Sequence, residues 1–344
     1  MIEAGKRVCL IPKLSGVSGM VSFQNRLADG LGRRRIQVFY ELSDRPYEAV
    51  LVIGGTRNLE GFRRARQKGV KIYQRLDGMN WLQRVRWTGV RHFLRAEYGN
   101  IILSFIRSRL ADGVIYQSKF AQAWWERAHG SLSMPAWVVY NGVDLDLFSP
   151  DGSNERPVDR YRILLVEGRL GGGYESGIEM AVQLAAGLQQ DRRQDIEVMI
   201  VGRVDKTIVD RWQREAQVSL RFAGVVPQSF IPAIDRSAHL LYSADINAAC
   251  PNSVIEAMAC GLPVVGFDTG AIPELVNNQE AGRVVPYGGN PWNLDPPDSK
   301  ALSRAAQEIL LERERYSAGA RARAEAIFGL DRMVEGYLQA LSGG

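Results

Sequence analysis

The sequence predicts an α/β protein with two doubly wound parallel-sheet domains, and three observations carry that prediction. Both halves open in the same way. Residues 8–11 are an apolar strand that meets a glycine-containing turn at 15–19 and then a helix with Met20, Phe23, Leu27 and Leu31 at helical spacing. Residues 163–166 repeat the sequence of events, with Gly168 and the loop Gly171, Gly172, Gly173 before a helix bearing Ile178, Val182, Ala185 and Leu188. The second observation is alternation: short apolar runs at 49–53, 70–73, 113–116, 137–140, 198–201 and 240–242 are separated by helical stretches. That is the pattern of parallel sheets covered by helices on both faces. The third is a polar, proline-bearing stretch at 149–157 with little to offer a core.

These readings divide the chain into a first domain at 1–150, a second at 151–325 and a terminal helix at 326–344. Helices are expected at 300–311 and 316–341, and a surface loop at 286–297. With 344 residues, 46% of them hydrophobic, there is enough apolar material for two cores. No apolar run reaches the roughly 18 residues of a membrane span, and the opening residues lead directly into a strand, so a soluble cytoplasmic protein is expected. Cys9, Cys250 and Cys260 are an odd number without metal-ligand spacing and read as buried, reduced thiols. His92, His129 and His239 show no ligand spacing and no neighbouring serine nucleophile. Neither a metal nor a cofactor is expected.

Charge is distributed unevenly. Residues 1–150 hold 23 Lys and Arg against 12 Asp and Glu, whereas the rest holds 20 against 26. The basic half favours anionic partners, whether nucleic acid or another anionic polymer, an anionic lipid leaflet or a phosphorylated acceptor, and equally reads as merely solvated faces. No nucleic-acid-binding signature accompanies it. Trp81, Trp87 and Phe93 alternate with Arg84, Arg91 and Arg95, which share one face if the segment is helical. The pattern fits a membrane-surface or acceptor-binding element, and equally core aromatics beside a solvated arginine face.

The most informative run is 251–265, Pro-Asn-Ser-Val-Ile-Glu-Ala-Met-Ala-Cys-Gly-Leu-Pro-Val-Val. A helix opening near Asn252, Ser253 and Val254 offers free N–H groups to a phosphate, and Glu256 one turn in is placed to accept hydrogen bonds from a ribose. Ser253 and Glu256 also have the spacing of a capping box, which needs no ligand. A second long motif precedes the linker at 140–150, Tyr-Asn-Gly-Val-Asp-Leu-Asp-Leu-Phe-Ser-Pro. Asp144 and Asp146 in it have the form of a metal-binding Asp-x-Asp but lie inside this linker motif.

Together with residues 111–118, these runs resemble the large retaining glycosyltransferase family 4, whose members have the GT-B architecture. The resemblance extends over nearly the whole chain and is strongest at 112–150 and 245–275. It implies two Rossmann-like domains facing a cleft, the first binding the acceptor and the second a nucleoside-diphosphate sugar. It also implies that the last helix crosses back to the first domain, for which Phe328, Leu330, Met333, Tyr337 and Leu341 have the apolar spacing. Transfer with retention and without a metal is implied as well.

Residue by residue, the resemblance puts Gly168 and Arg169 at the donor diphosphate, where a planar guanidinium suits two phosphate oxygens. Gly16 and Gly19 face the diphosphate from the first domain, although a tight turn also asks for glycine. Arg203 and Val226 line the nucleoside pocket, with Asn252, Ser253, Val254 and Glu256 completing the donor site. Arg169, Glu256 and Asp77 are the catalytic candidates, and Asp77 and Arg84 the acceptor candidates. Three departures stand out. The family's phosphate lysine falls in Glu175-Ser176-Gly177. Its first glutamate, in contact with the donor sugar, is Ala248 beside Asn247. Its first-domain histidine segment reads Arg75-Leu76-Asp77-Gly78, where an Asp-Gly turn is the plain alternative. The departures keep a catalytically degenerate nucleotide-sugar binder open as an alternative, and the scaffold keeps a nucleotide-sugar epimerase open.

Overall fold

Apolar runs of three to ten residues form two six-stranded sheets in which every pair is parallel. The computed structural model describes residues 5–16, 18–44, 46–171, 175–192 and 195–343. The chain forms two compact units. One runs to Gly142 and resumes at Gly329; the other extends from Val143 to Phe328.

In the first unit the order along the chain is β1 (Arg7–Ile11), α1 (Gly19–Arg33), β2 (Gln37–Phe39), β3 (Ala49–Ile53), α2 (Leu59–Gln67), β4 (Lys71–Leu76), α3 (Val90–Phe105), β5 (Gly113–Tyr116), α4 (Lys119–His129) and β6 (Ala136–Val138). The sheet order is β2-β1-β3-β4-β5-β6. Strand β3, Ala-Val-Leu-Val-Ile, is buried throughout, as a strand covered on both faces must be. Ser18 caps α1 by accepting the Val21 N–H at 3.3 Å, and Phe23, Leu27 and Leu31 turn into the core. Met20 of the same predicted stripe lies in the first turn and stays exposed.

The second unit follows as β7 (Tyr161–Leu170), α5 (Ser176–Arg192), β8 (Ile196–Val204), α6 (Lys206–Glu215), β9 (Ser219–Gly224), α7 (Ile231–Arg236), β10 (Leu240–Ser243), α8 (Asn252–Ala259), β11 (Val264–Phe267), α9 (Ile272–Val276), β12 (Gly282–Val285), α10 (Ser299–Leu311) and α11 (Arg313–Ile327). Its sheet order, β12-β11-β10-β7-β8-β9, reverses direction between β7 and β10. Ligands of such sheets bind beyond the strands' carboxyl ends at that reversal.

The helix expected over 316–341 is two helices. α11 ends at Ile327, and α12 (Leu330–Leu341) begins after Gly329, whose extended backbone (ψ 140°) breaks the run. Glycine has the poorest helix propensity after proline, so the break falls there. Phe328 accordingly stays with the second unit, its carbonyl accepting the Val143 N–H at 2.8 Å. Met333, Val334, Tyr337 and Leu341 pack with Phe23, Leu27 and Leu31 in the first unit's core. Val334 Cγ2 stands 2.4 Å from where a Cβ on Gly30 would be, so α12 lies against α1 only because residue 30 has no side chain.

Candidate functional site

At the carboxyl edge of the second unit's sheet, the ends of β7 and β8 come together. The β7–β8 register slips between Val166 and Arg169, then resumes with Arg169 opposite Arg203 and Leu170 opposite Val204. Gly202 explains how this edge is built. Its φ is +135°, and a Cβ there would sit 1.8 Å from the Glu167 carbonyl oxygen, so only glycine permits the approach. Two sequence candidates, Arg169 and Arg203, are thereby set side by side on adjacent strands. Arg169 is 61% exposed, with a guanidinium nitrogen 3.8 Å from Asp205 Oδ2, and Gly168 beside it is open to solvent. Val226 is half-buried just after β9. Gly172 and Gly173 lie outside the described residues.

β10 leads through residues 244–251 to α8. The capping box expected from Ser253 and Glu256 is not formed. The helix starts at Asn252 with Pro251 as its cap residue, so Ser253 is already inside the first turn, and no side chain caps the start. A proline φ of −67° is preset for helix entry, which accounts for the earlier start. Asn252 and Ser253 are half-buried and Val254 is buried. Glu256 is 6% exposed and close enough to Asp235 of α7 to raise that buried acid, which burial already holds well above the usual carboxylate range. Ala248 is held by its backbone: its carbonyl accepts the Ala271 N–H at 2.8 Å. Asn247 beside it has a left-handed φ of +59° and a buried Nδ2 without a hydrogen-bond partner among the described residues. Ser176, at the expected lysine position, opens α5 and is half-buried.

An acidic pair joins this edge that the sequence reading did not identify. Glu167, the residue before Gly168, and Asp245, just beyond β10, flank the reversal point of the sheet. Burial, and then the charge of Asp245, raises Glu167 well above the ordinary carboxylate range; burial raises Asp245 to about 6. Tyr242 of β10 is raised too, first by burial and then by Tyr287 and Glu167. Only the pairing of β7 with β10 brings positions 167 and 245 together, so no local motif announces them.

A carboxyl whose folded pKa exceeds its unfolded value stabilises the fold at low pH and loses that contribution as pH rises through the folded value. For Asp245 the window runs from about 4 to above 6. His239 works oppositely: held down to about 4, first by burial and then by Arg156, Arg313 and Arg162, it loses stabilisation as pH falls through its unfolded value. A comparison with Asp245→Asn removes that background. Relative to the parent, Asp245→Asn is expected to gain about 1.4 kcal/mol between pH 5 and pH 7.5. Thermal denaturation at the two pH values measures it, and equal differences would contradict the assignment.

The first unit places its candidates at the carboxyl edge of its own sheet. Gly16 has a φ of +94° and lies in the turn after β1; Gly19 is the first residue of α1. Asp77 follows β4, and its carbonyl accepts the Trp125 indole N–H at 2.7 Å. Burial raises its carboxyl, offset in part by Arg75. Arg75 is buried, with one nitrogen donating to Asn141 Oδ1 at 3.0 Å and its guanidinium 3.6 Å from the centre of the Phe23 ring. Arg84 precedes α3 and grips Glu97 through two bonds, of 2.7 and 2.6 Å; this pairing holds Glu97 down at about 2. The segment bearing Trp81, Arg84 and Arg91 is therefore not one helix, because α3 starts at Val90. Asp144 Oδ1 accepts the N–H groups of Asp146 and Leu147, which makes the Asp-x-Asp a turn device.

Residues 161–311 match the family model described as Glycosyl transferases group 1. A phosphatidyl-myo-inositol mannosyltransferase of Mycobacterium tuberculosis is 31% identical over 224 residues, covering 61% of this chain and 54% of the relative. The chain thus spans about half the length of the curated relatives it matches. Among solved structures, sucrose-phosphate synthase from Thermosynechococcus elongatus superposes with a TM-score of 0.77 at 18% identity, covering 98% of this chain and all of that one (100%). The structure of Anabaena Alr3699/HepE in complex with UDP and glucose reaches 0.70 at 16% identity, covering 98% and 99%. These two likenesses establish the fold.

Proposed function

We propose that the chain, whose residues 161–311 match the group 1 glycosyltransferase model, acts as such an enzyme and moves a sugar from a nucleoside diphosphate to an acceptor hydroxyl. The acceptor is bound by the first unit, where Asp77 and Arg84 are its candidate ligands and Gly16 and Gly19 shape the turn after β1. The observation that carries the reading is the carboxyl edge of the second unit: two arginines in register, and an eight-residue helix whose start no side chain caps.

In this reading the diphosphate lies against Arg169 and the first-turn N–H groups of α8, Asn252 to Val254. Gly168 leaves room for it, and Glu256 accepts hydrogen bonds from the ribose hydroxyls. Val226 lines the base pocket. Arg203 supplies the second cation that Ser176 does not. The acceptor oxygen forms its bond to the anomeric carbon as the bond from that carbon to the phosphate oxygen breaks, and the acceptor proton passes to the departing phosphate. Charge on that leaving group is where Arg169 and the helix start act, and preorganised donors of this kind supply much of a catalyst's effect. The configuration at the anomeric carbon is retained, and no metal takes part. Asn247, with its unpartnered amide nitrogen beside Ala248, faces the task of the missing glutamate at the sugar.

The M. tuberculosis relative is named for a phosphatidyl-myo-inositol acceptor, so ring polyols are the acceptors to test first. Incubation with UDP-, GDP- and ADP-sugars, with and without such acceptors, tests the reading. Acceptor-dependent release of nucleoside diphosphate supports transfer. Binding without turnover would favour a degenerate nucleotide-sugar binder, which the Ala248 and Ser176 departures motivate, and interconversion of the donor without an acceptor would favour an epimerase. Glu256→Gln is expected to weaken nucleoside-diphosphate affinity about tenfold to a hundredfold, the worth of a charge-assisted hydrogen bond. Calorimetric titration with UDP and GDP measures it, and unchanged affinity for both would remove Glu256 from the site.

A further inference from the structure

The first unit carries a helix whose outer face is apolar. Of the thirteen large apolar side chains exposed among the described residues, seven fall between Val85 and Ile101. Trp87 is 83% exposed, Leu94 61% and Ile101 64%, and Val90, Phe93 and Tyr98 are exposed as well. Within α3 only Ala96 and Asn100 are buried. At 100° per residue, Val90, Leu94, Tyr98 and Ile101 fall within an arc of about 80°, a stripe along the outer side of the helix.

Charge borders that stripe. Arg91 and Arg95 follow its apolar residues by one position and lie along one flank, both exposed. Arg57, from the loop before α2, holds its guanidinium 5.7 Å from the centre of the Tyr98 ring. The single acid between residues 81 and 110, Glu97, is already engaged by Arg84 and Gln83. An apolar stripe with arginines beside it, and tryptophan and tyrosine along it, matches a surface whose interior is hydrocarbon and whose rim is anionic.

We propose that this face of the first unit, Trp87 with the outer stripe of α3, docks on an anionic lipid leaflet. Apolar side chains enter the boundary between head groups and acyl chains, while Arg57, Arg91 and Arg95 meet lipid phosphates. Each basic residue close to an anionic membrane strengthens binding about fivefold, and salt screens that part. The inference rests on the first unit alone and stands or falls separately from the nucleotide site of the second.

Co-sedimentation of the full chain with phosphatidylcholine vesicles, with and without phosphatidylglycerol, tests it. Binding is expected only when phosphatidylglycerol is present and is expected to weaken in high salt. Leu94→Asp with Ile101→Asp is expected to reduce it at least tenfold, and Arg91→Ala with Arg95→Ala about twenty-five-fold. Melting temperature and nucleotide titration of the same variants, all changed at exposed positions, confirm that they remain folded. Absent vesicle binding, or binding indifferent to the Leu94 and Ile101 pair, would overturn the proposal. So would concentration-dependent self-association that Leu94→Asp abolishes without any vesicle binding, because the stripe would then belong to a second copy.

Discussion

Arg169→Ala is expected to lower kcat/KM for sugar transfer by about a hundredfold to a thousandfold, with the melting temperature unchanged within about 2 °C. The two halves of this expectation have different causes. The side chain is 61% exposed and its ion pair with Asp205 is long at 3.8 Å, so the fold loses little on its removal. In the proposed reaction the guanidinium faces the oxygen that gains charge as the anomeric bond breaks, an interaction strongest in the transition state. Initial-rate kinetics separate these effects. A fall in kcat exceeding the rise in KM supports the assignment, whereas a change in KM alone would reduce Arg169 to ground-state binding. Lysine at the same position retains the charge but not the fork, and Arg169→Lys is expected to recover only part of the loss.

The second large effect is on stability. Arg162 and Glu197 are both buried register partners on β7 and β8, with Arg162 Nε donating to Glu197 Oε1 at 2.5 Å. The guanidinium also donates to the carbonyls of Glu155 and Ser237 at 3.2 and 3.3 Å. Glu197→Ala is expected to cost about 3–5 kcal/mol, because it leaves a buried cation without its counter-ion. Replacing both residues with apolar side chains of similar size is expected to restore most of that loss, since the desolvation of both ions disappears together. Chemical denaturation of the three variants measures it. A double variant no more stable than Glu197→Ala would show that the carbonyl contacts, rather than the ion pair, dominate.

Much of this architecture is legible in the chain because it is written locally. The strands and the core-facing residues Phe23, Leu27 and Leu31 follow from apolar periodicity, and the turn and helix at 251–259 from a long contiguous motif. What was not legible depends on pairing between distant segments. Arg169 and Arg203 become neighbours through the β7–β8 register, and Glu167 and Asp245 through the pairing of β7 with β10. The capping box failed because two rules competed at one helix start, and the preset φ of Pro251 entered the helix before Ser253 could cap it. The single helix expected over 316–341 failed because apolar spacing continued across Gly329 while the backbone did not. Arg84 looked like part of an arginine face, but its distance from α3 and its grip on Glu97 only appear once the turn before Val90 is folded.

The structure of the protein crystallised with millimolar UDP tests the central claim most directly. The account predicts a diphosphate within hydrogen-bond distance of Arg169 and the first-turn amides at Asn252 to Val254, with both ribose hydroxyls on the Glu256 carboxylate. A diphosphate bound away from the carboxyl ends of β7 and β10, or a ribose that leaves Glu256 untouched, would contradict it.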